Sequence, residues 1–552
     1  MNDGTVTDID VLIIGAGING AGLFRDLCAQ GLACVIIDKG DFGSGTSAAP
    51  SRLIHGGLKY LETGEFRLVA ESTYERNLLL KNAAHVVKPL PTVIPIYSWT
   101  RGIWPAIRTF FGAKSAPRSR GALLIKIGLS LYDHFGARAR FMPRHGMLGK
   151  KKALEAIPAL TPRIVAVGTY YDAAVTAPER LVMELVHDGV RLSEHSQACN
   201  WTSVSGQAGG VVSFDKPDGT VGRVRPRLVV NAAGPWIDAV NAAIGIETKL
   251  IGGTKGSHIL LDHPELVRQL DGRMIYFEAN DGRILLVFPY LGKALVGSTD
   301  IPAREPDQAH CTDDETAYFM SSLRELLPGL EFDETQIVYS YAGIRPLPNS
   351  EGVEPGLISR DHSAPVHEPE QGRPFPVISL VGGKWTTFRA FSADVADTVL
   401  ARLAATRKTT TDAMAIGGAQ GLPAAADRSG WIAEVARESG AEKARVERLL
   451  DRYGSTARAI AVHEGGKPDL FGDAPGFSPA EIDWIARNEQ VIHLEDVILR
   501  RTPLAITGQL TRALLGRIGR IVGDALNWND ETTEAEIART LRVLESRHGV
   551  RF

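Results

Sequence analysis

Residues 51–60 read SRLIHGGLKY, gathering an arginine, a histidine, a glycine pair, a lysine and a tyrosine into ten positions. Two cations, an imidazole and a phenol around bare backbone suit a place where an anion and a flat cofactor meet, because glycine permits close approach to the chain. His258, in KGSHILL, titrates near neutral pH and can accept a proton. A lone histidine at the start of a strand is more often structural. Arg345 in GIRPL and Arg360 in ISRD offer planar forks that bind phosphate oxygens in pairs. An isolated arginine is ordinarily a surface residue, but Arg345 sits between apolar neighbours and Pro346.

These side chains need elements to hold them. Residues 9–14 form a continuous apolar, β-favouring run, the pattern of a strand covered on both faces. Gly15, Gly17 and Gly20 follow in GxGxxG order. They permit a sharp turn, close approach to a pyrophosphate, and close helix–strand packing, while the amides of the helix start hold phosphates. Gly31 ends the helix, residues 33–37 make a second strand, and Asp38 closes it, placed to accept hydrogen bonds from a ribose. Glycines also serve ordinary turns, but with strand, helix and acid all present the segment reads as a dinucleotide site. The motif alone does not separate NAD from FAD.

Two distant segments bear on that choice. LVVNAAGPWID (228–238) is a buried strand entering a Gly-Pro turn, and ISLVGGKWTTFRAFSADVAD (378–397) is a strand, a glycine pair and a helix. Gly382 and Gly383 would let the helix start approach a cofactor, with Lys384 supplying a cation. A reduced flavin is anionic at its pyrimidine edge, so a lysine and a helix N-terminus there stabilise it. The alternative is a plain turn with a surface lysine.

Taken in order, GAGINGAG, LIHGGLKYLETGEFRLV, NAAGPW, KGSHI, YAGIRPL and GGKWTTFR resemble the FAD-dependent, membrane-associated glycerol-3-phosphate dehydrogenases across residues 8–400. YGS (453–455) and EDVILRRT (495–502) extend the likeness more thinly. The resemblance implies an α/β fold: a Rossmann-like FAD-binding domain interleaved with an antiparallel β-sheet substrate cap, plus a helical C-terminal domain. The expected boundaries are 1–400 for the oxidoreductase part and 401–552 for the helical domain. Within the first, FAD-binding segments span 1–95, 155–245 and 340–400, a basic membrane-facing segment 101–152, and the cap 246–339. The cap also reads directly as short β-rich runs, with Asn280-Asp281-Gly282 as a hairpin turn. Beyond 400, Ala/Leu/Arg/Glu-rich stretches carry helical periodicity.

The same resemblance implies oxidation of sn-glycerol 3-phosphate to dihydroxyacetone phosphate, with FAD as cofactor and a membrane quinone as electron acceptor. Phosphate anchoring falls to Arg345, Arg360, Lys59 and Tyr60, and proton transfer to His258, with Lys384 or a water sharing it. Cofactor contacts fall to Gly15, Gly17, Asn19, Gly20, Asp38, Thr46, Ser47, Ser51, His55, Gly56, Gly57, Gly234, Gly383, Lys384 and Thr386. Gly56 and Gly57 would serve close approach to the flavin ring, with His55 against it. Two departures stand out. Lys59 occupies the position of an arginine in the family's GGLRY, keeping charge but losing the fork, and TAPERLV (176–182) replaces the family's DDARLV.

Composition sets outer limits. At 552 residues the chain needs two or three cores, and its 23% charged and 44% hydrophobic content is that of a globular protein. A net charge of −3 gives no general pull toward nucleic acid. Cys28, Cys34, Cys199 and Cys311 form no CxxC pair, which points to a reducing compartment and away from structural zinc. The start MNDGTVTD shows no signal or transit pattern, and no uncharged stretch reaches the ~18–20 residues that span a bilayer. Residues 101–152, however, hold twelve Lys/Arg against one acid, Asp133, beside GIWPAIRTFFG with Trp104, Phe110 and Phe111. In ALLIKIGLSLYDHF, Lys126, Ser130 and Asp133 share one helical stripe, and Leu124, Ile127, Leu131 and Phe135 another. This is the composition of an interfacial element on an anionic membrane, and the alternative is a core-packed helix with a basic rim. The expected location is cytoplasmic, peripheral to the inner face of the cell membrane, with a homodimer as one option. Competing functions are an oxidase that uses oxygen on glycerol phosphate or an amine, and a silent flavin-binding adaptor. The joint presence of Lys59, His258, Arg345 and Lys384 argues against the adaptor.

Overall fold

The computed structural model describes residues 5–61, 65–99, 121–136, 142–349 and 362–552. Two sheets organise the first three-quarters of the chain. The first has eight strands, with Val377–Ser379, Val221–Asn231, Val6–Ile14, Cys34–Ile37 and Gln197–Cys199 side by side and parallel. Val11 to Ile14 and Cys34 to Ile37 are all buried, as continuous apolar runs in a parallel sheet should be. Helices Ile18–Ala29, Pro178–Leu192 and Phe388–Arg402 share one core with a face of this sheet. Gly15 (φ +106°) opens the turn after the first strand, and Gly31 (φ +82°) follows the helix, as the sequence pattern requires.

The second sheet has ten strands and is mostly antiparallel. Thr254–Leu261, Met274–Glu278, Ile284–Tyr290 and Lys293–Gly297 come from the expected cap, and the hairpin at 279–283 falls where Asn280-Asp281-Gly282 placed it. The sheet also recruits Leu53–Ile54, Val87–Ile96, Gly146–Gly149 and Ala166–Val175 from outside residues 246–339, and Ile337–Arg345, which runs out of that span. Strand pairing at long range, which local pattern does not encode, draws them in. One face of this sheet packs on helices Pro264–Leu270 and Asp313–Leu326. The other contributes Leu260, Phe288, Tyr339 and Tyr341 to the core of the C-terminal helices, so the helical domain closes directly over the cap sheet.

Helix Ala122–Phe135 lies against strand Ala166–Val175 with Ala122, Ile125, Leu129 and Tyr132 buried. Its outer side exposes Leu123, Ile127 and Leu131, four residues apart and on one stripe. The helix is therefore both core-packed and apolar outside, a combination that neither sequence reading contained. Trp104, Phe110 and Phe111 lie outside the described residues.

Candidate active site

Three segments far apart in sequence converge on the glycine-rich turn. Within the turn, a side chain at Gly15 would meet Ala232 O at 2.6 Å, and one at Gly20 would meet Gly15 O at 2.0 Å. Only glycine allows this packing. Asp38 accepts hydrogen bonds from Ala16 N–H (2.7 Å) and Gly40 N–H (2.9 Å), and burial raises its carboxyl to about 6. Ser47 Oγ accepts from Ile18 N–H at 2.9 Å, and Thr46 Oγ1 donates to Ile344 O at 2.6 Å. From the far end of the chain, Gly382 O lies 3.4 Å from Asn19 Nδ2, and Trp385 Nε1 donates to Ser47 O at 3.2 Å. Gly382 and Gly383 both have positive φ, and a side chain at Gly383 would press on Asn19 Nδ2 at 2.9 Å. Thr386 Oγ1 accepts from His55 N–H at 3.2 Å, which ties the GGKWTTFR loop, Lys384 included, to the SRLIHGG segment. Gly234 (φ +57°) has open space where a side chain would stand.

This arrangement fits FAD. A Cβ at Gly17 would meet only Ser47 Oγ, at 3.1 Å, so the turn faces open space, and Asn19 Oδ1 is buried without a hydrogen-bond partner among the described residues. A helix start with open space before it, beside a buried acid, makes a dinucleotide cradle.

The candidate catalytic face is built from strand pairing. In the register of Thr254–Leu261 against Ile337–Arg345, Thr254 faces Arg345, Gly256 faces Gly343 and His258 faces Tyr341. Alternation puts these pairs on one side of the sheet. Three glycines make room there. A side chain at Gly256 would strike the Arg345 guanidinium at 2.1 Å, one at Gly297 the His258 ring at 2.0 Å, and one at Gly343 Ala49 at 2.6 Å. Arg345 is oriented by Asp300 (3.0 Å), Ser298 Oγ (3.1 Å) and Thr299 O (3.1 Å). His258, only 1% exposed, stacks on Tyr341 at 4.7 Å between ring centres and has Nε2 2.8 Å from Ser51 Oγ. Burial, then Arg345 and Arg52, hold its pKa well below the usual 6.5, so the imidazole is neutral. Tyr341 Oη donates to Pro50 O at 2.9 Å, fixing the same loop from the other side.

Gly56 has a reason within the protein to be bare: a Cβ there would lie 2.4 Å from Tyr132 Oη and 2.5 Å from Thr73. Tyr132 Oη accepts from Gly56 N–H and donates to Asp172, which also pairs with Arg76. Gly57 (φ +78°) does need its conformational freedom. Lys59 and Tyr60 lie in the short helical turn Leu58–Leu61, but their side chains, like all of Arg360, fall outside the described residues. Sequence reasoning missed Tyr341, Gly256, Gly297, Tyr132 and the buried Arg52–Glu179 pair. YAGIRPL and KGSHI contained two of these, but their facing register was not visible in either motif.

Residues 10–368 match the model of a family described as FAD dependent oxidoreductase, and residues 409–533 that of the C-terminal domain of alpha-glycerophosphate oxidase. A glycerol-3-phosphate dehydrogenase of Synechocystis sp. is 30% identical over 570 residues, covering 98% of this chain and 97% of its own. One of Pseudomonas aeruginosa is 30% identical, covering 90% and 92%. Among solved structures, the glycerol-3-phosphate dehydrogenase of Bacillus halodurans complexed with FAD superposes with a TM-score of 0.74 at 22% identity, covering 98% of this chain and 95% of its own. The L-alpha-glycerophosphate oxidase of Mycoplasma pneumoniae with FAD bound reaches 0.52 at 17% identity, covering 72% and 95%.

Proposed function

Because this chain belongs to the FAD-dependent glycerol-3-phosphate dehydrogenase family, we propose that it oxidises sn-glycerol 3-phosphate to dihydroxyacetone phosphate and passes the electrons to a membrane quinone. The observation that carries the chemistry is the shared face of two paired strands, where a braced guanidinium and a neutral imidazole stand a few residues apart.

Bound FAD supplies the acceptor for the hydride leaving the carbinol carbon. Arg345 offers its positive charge to the substrate phosphate, and its bonds to Asp300, Ser298 and Thr299 keep the guanidinium aimed before substrate arrives. His258 takes the hydroxyl proton. With Nε2 donating to Ser51 Oγ, Nδ1, which has no hydrogen-bond partner among the described residues, keeps the lone pair that receives it. Lys384 lies in the loop that Thr386 ties to His55, and the stacked Tyr341 keeps the imidazole from rotating.

The surface supports the choice of a membrane quinone as electron acceptor. Leu123, Ile127 and Leu131 form an exposed stripe, Phe66 packs beside Phe135 at 6.1 Å, Lys126 is exposed on the same helix, and Arg144 and Lys150 to Lys152 are exposed further along the chain. An apolar stripe among cations favours an anionic bilayer, where a lipid-soluble quinone resides. No helix among the described residues is long and apolar enough to cross a membrane, so contact would be peripheral. The test compares acceptors. Substrate-reduced protein should reoxidise rapidly with quinone in anionic vesicles and slowly with dissolved oxygen. Rapid reoxidation by oxygen with stoichiometric peroxide would establish the oxidase alternative instead.

A further inference from the structure

The helical C-terminal domain grips the loop that follows the ribose-facing acid. Asp41 lies three residues after Asp38 and is completely buried. Its Oδ2 accepts from Arg500 Nε and Arg501 Nη1, both at 2.6 Å, and its Oδ1 from Arg501 Nη2 and Asn200 Nδ2, both at 2.9 Å. The two arginines end a π-helical turn, Val497–Arg501, inside the EDVILRRT stretch. Arg500 also pairs with Asp496 at 2.6 Å. All four charged groups are buried.

The gripped loop is the one that wraps the glycine-rich turn. Between Asp38 and Ser47 it contacts the turn three times, through Asp38 to Ala16 N–H, Gly43 N–H to Ala16 O, and Ser47 to Ile18 N–H. A second tie runs through TAPERLV. Arg180 holds Glu489 of the helical domain in a two-point pair at 2.8 and 3.0 Å and also donates to Arg501 O. Its neighbour Glu179 pairs with Arg52 at 2.7 and 2.9 Å, next to the Ser51 that contacts His258. Burying this many charges gains little stability over apolar packing of the same volume, whereas it fixes geometry tightly.

We propose that Arg500 and Arg501 are positioning residues for FAD: by holding Asp41 they keep the 38–47 loop closed on the dinucleotide turn. The C-terminal domain is then a working part of the cofactor site, whichever electron acceptor the enzyme uses.

Fluorescence titration of apoprotein with FAD tests this. Arg500→Lys, which keeps the charge but cannot span Asp41 and Asp496, should weaken FAD binding by about tenfold or more, the scale seen when outer partners of a bound group are removed. Asp41→Asn should do the same. Glu464→Gln is the control, since it breaks the Arg445 pair inside the helical domain, away from Asp41. It should lower the apoprotein melting temperature and leave FAD affinity alone. Wild-type affinity in Arg500→Lys, or an equal loss of affinity in Glu464→Gln, overturns the proposal. Should the variants fail to fold, hydrogen exchange on the wild type decides. FAD must protect residues 39–47 and 496–501 together, since coupling is reciprocal. Protection of the first segment alone refutes it.

Discussion

A buried imidazole beside two guanidiniums is a poor place for a third positive charge, so His258, the base of the proposed mechanism, is held neutral at ordinary pH. Its depressed pKa means that protonation is resisted as pH falls through 6.5. Anaerobic flavin reduction should therefore stay level through that value, and a break near 6.5 would contradict the neutral-base account. His258→Asn should slow the reduction step by about a hundredfold or more while leaving substrate affinity nearly intact. Arg345→Lys keeps the cation but loses the fork that Asp300 braces. Stopped-flow titration should show weaker binding of the phosphorylated substrate, by roughly 1.5–3 kcal/mol, and little change for glycerol. Asp38 contributes to stability in the opposite sense to an acid whose pKa folding lowers. Its raised value of about 6 means that the apoprotein holds a proton there which the unfolded chain has already released, so that group's contribution to stability falls as pH rises toward 6. A ribose hydroxyl needs the ionised carboxylate, so FAD affinity should drop as pH is lowered through 6; equal affinity at pH 5 and 7.5 would argue against that contact.

At the scale of elements, helix Ala122–Phe135 serves two faces at once. Its inner face delivers Tyr132 to Gly56, and its outer face leaves Leu123, Ile127 and Leu131 in solvent. Burying a leucine or isoleucine is worth about 1.5–3 kcal/mol. Ile127→Ser with Leu131→Ser should therefore turn vesicle binding from salt-resistant to salt-sensitive in flotation assays, with flavin reduction by soluble substrate unchanged. Wild-type protein that never floats with anionic vesicles would leave the stripe without its proposed partner. Gly56→Ala must displace Tyr132 and Thr73 and should cost about 1–3 kcal/mol in urea unfolding. The sequence displayed the amphipathic stripe but not the tyrosine's destination, because Gly56 and Tyr132 meet only when the helix is docked. The glycine-rich turn was legible because its acid, turn and helix all lie within forty residues.

Across the whole molecule, what could be read in advance was whatever local pattern enforces. The buried parallel strands, the cap hairpin at 279–283 and the helices beyond 400 all follow from periodicity and turn chemistry. The residues of the candidate site meet at separations from 207 to 460 positions, as Ser51 meets His258, His55 meets Thr386 and Asp41 meets Arg501. No window of sequence holds both partners. The motifs gave their presence, and only the fold gave their pairing. In the proposed mechanism three regions share one site: the parallel sheet carries the cofactor turn, the cap sheet carries Arg345 and His258, and the helical domain braces the loops between them. The measurement that bears most directly on this account is anaerobic mixing of the yellow holoenzyme with sn-glycerol 3-phosphate, following flavin absorbance and product together. The account predicts bleaching with one dihydroxyacetone phosphate formed per flavin, and none with glycerol at the same concentration. An unbleached flavin in the presence of glycerol phosphate, with bleaching by an amine instead, would contradict it.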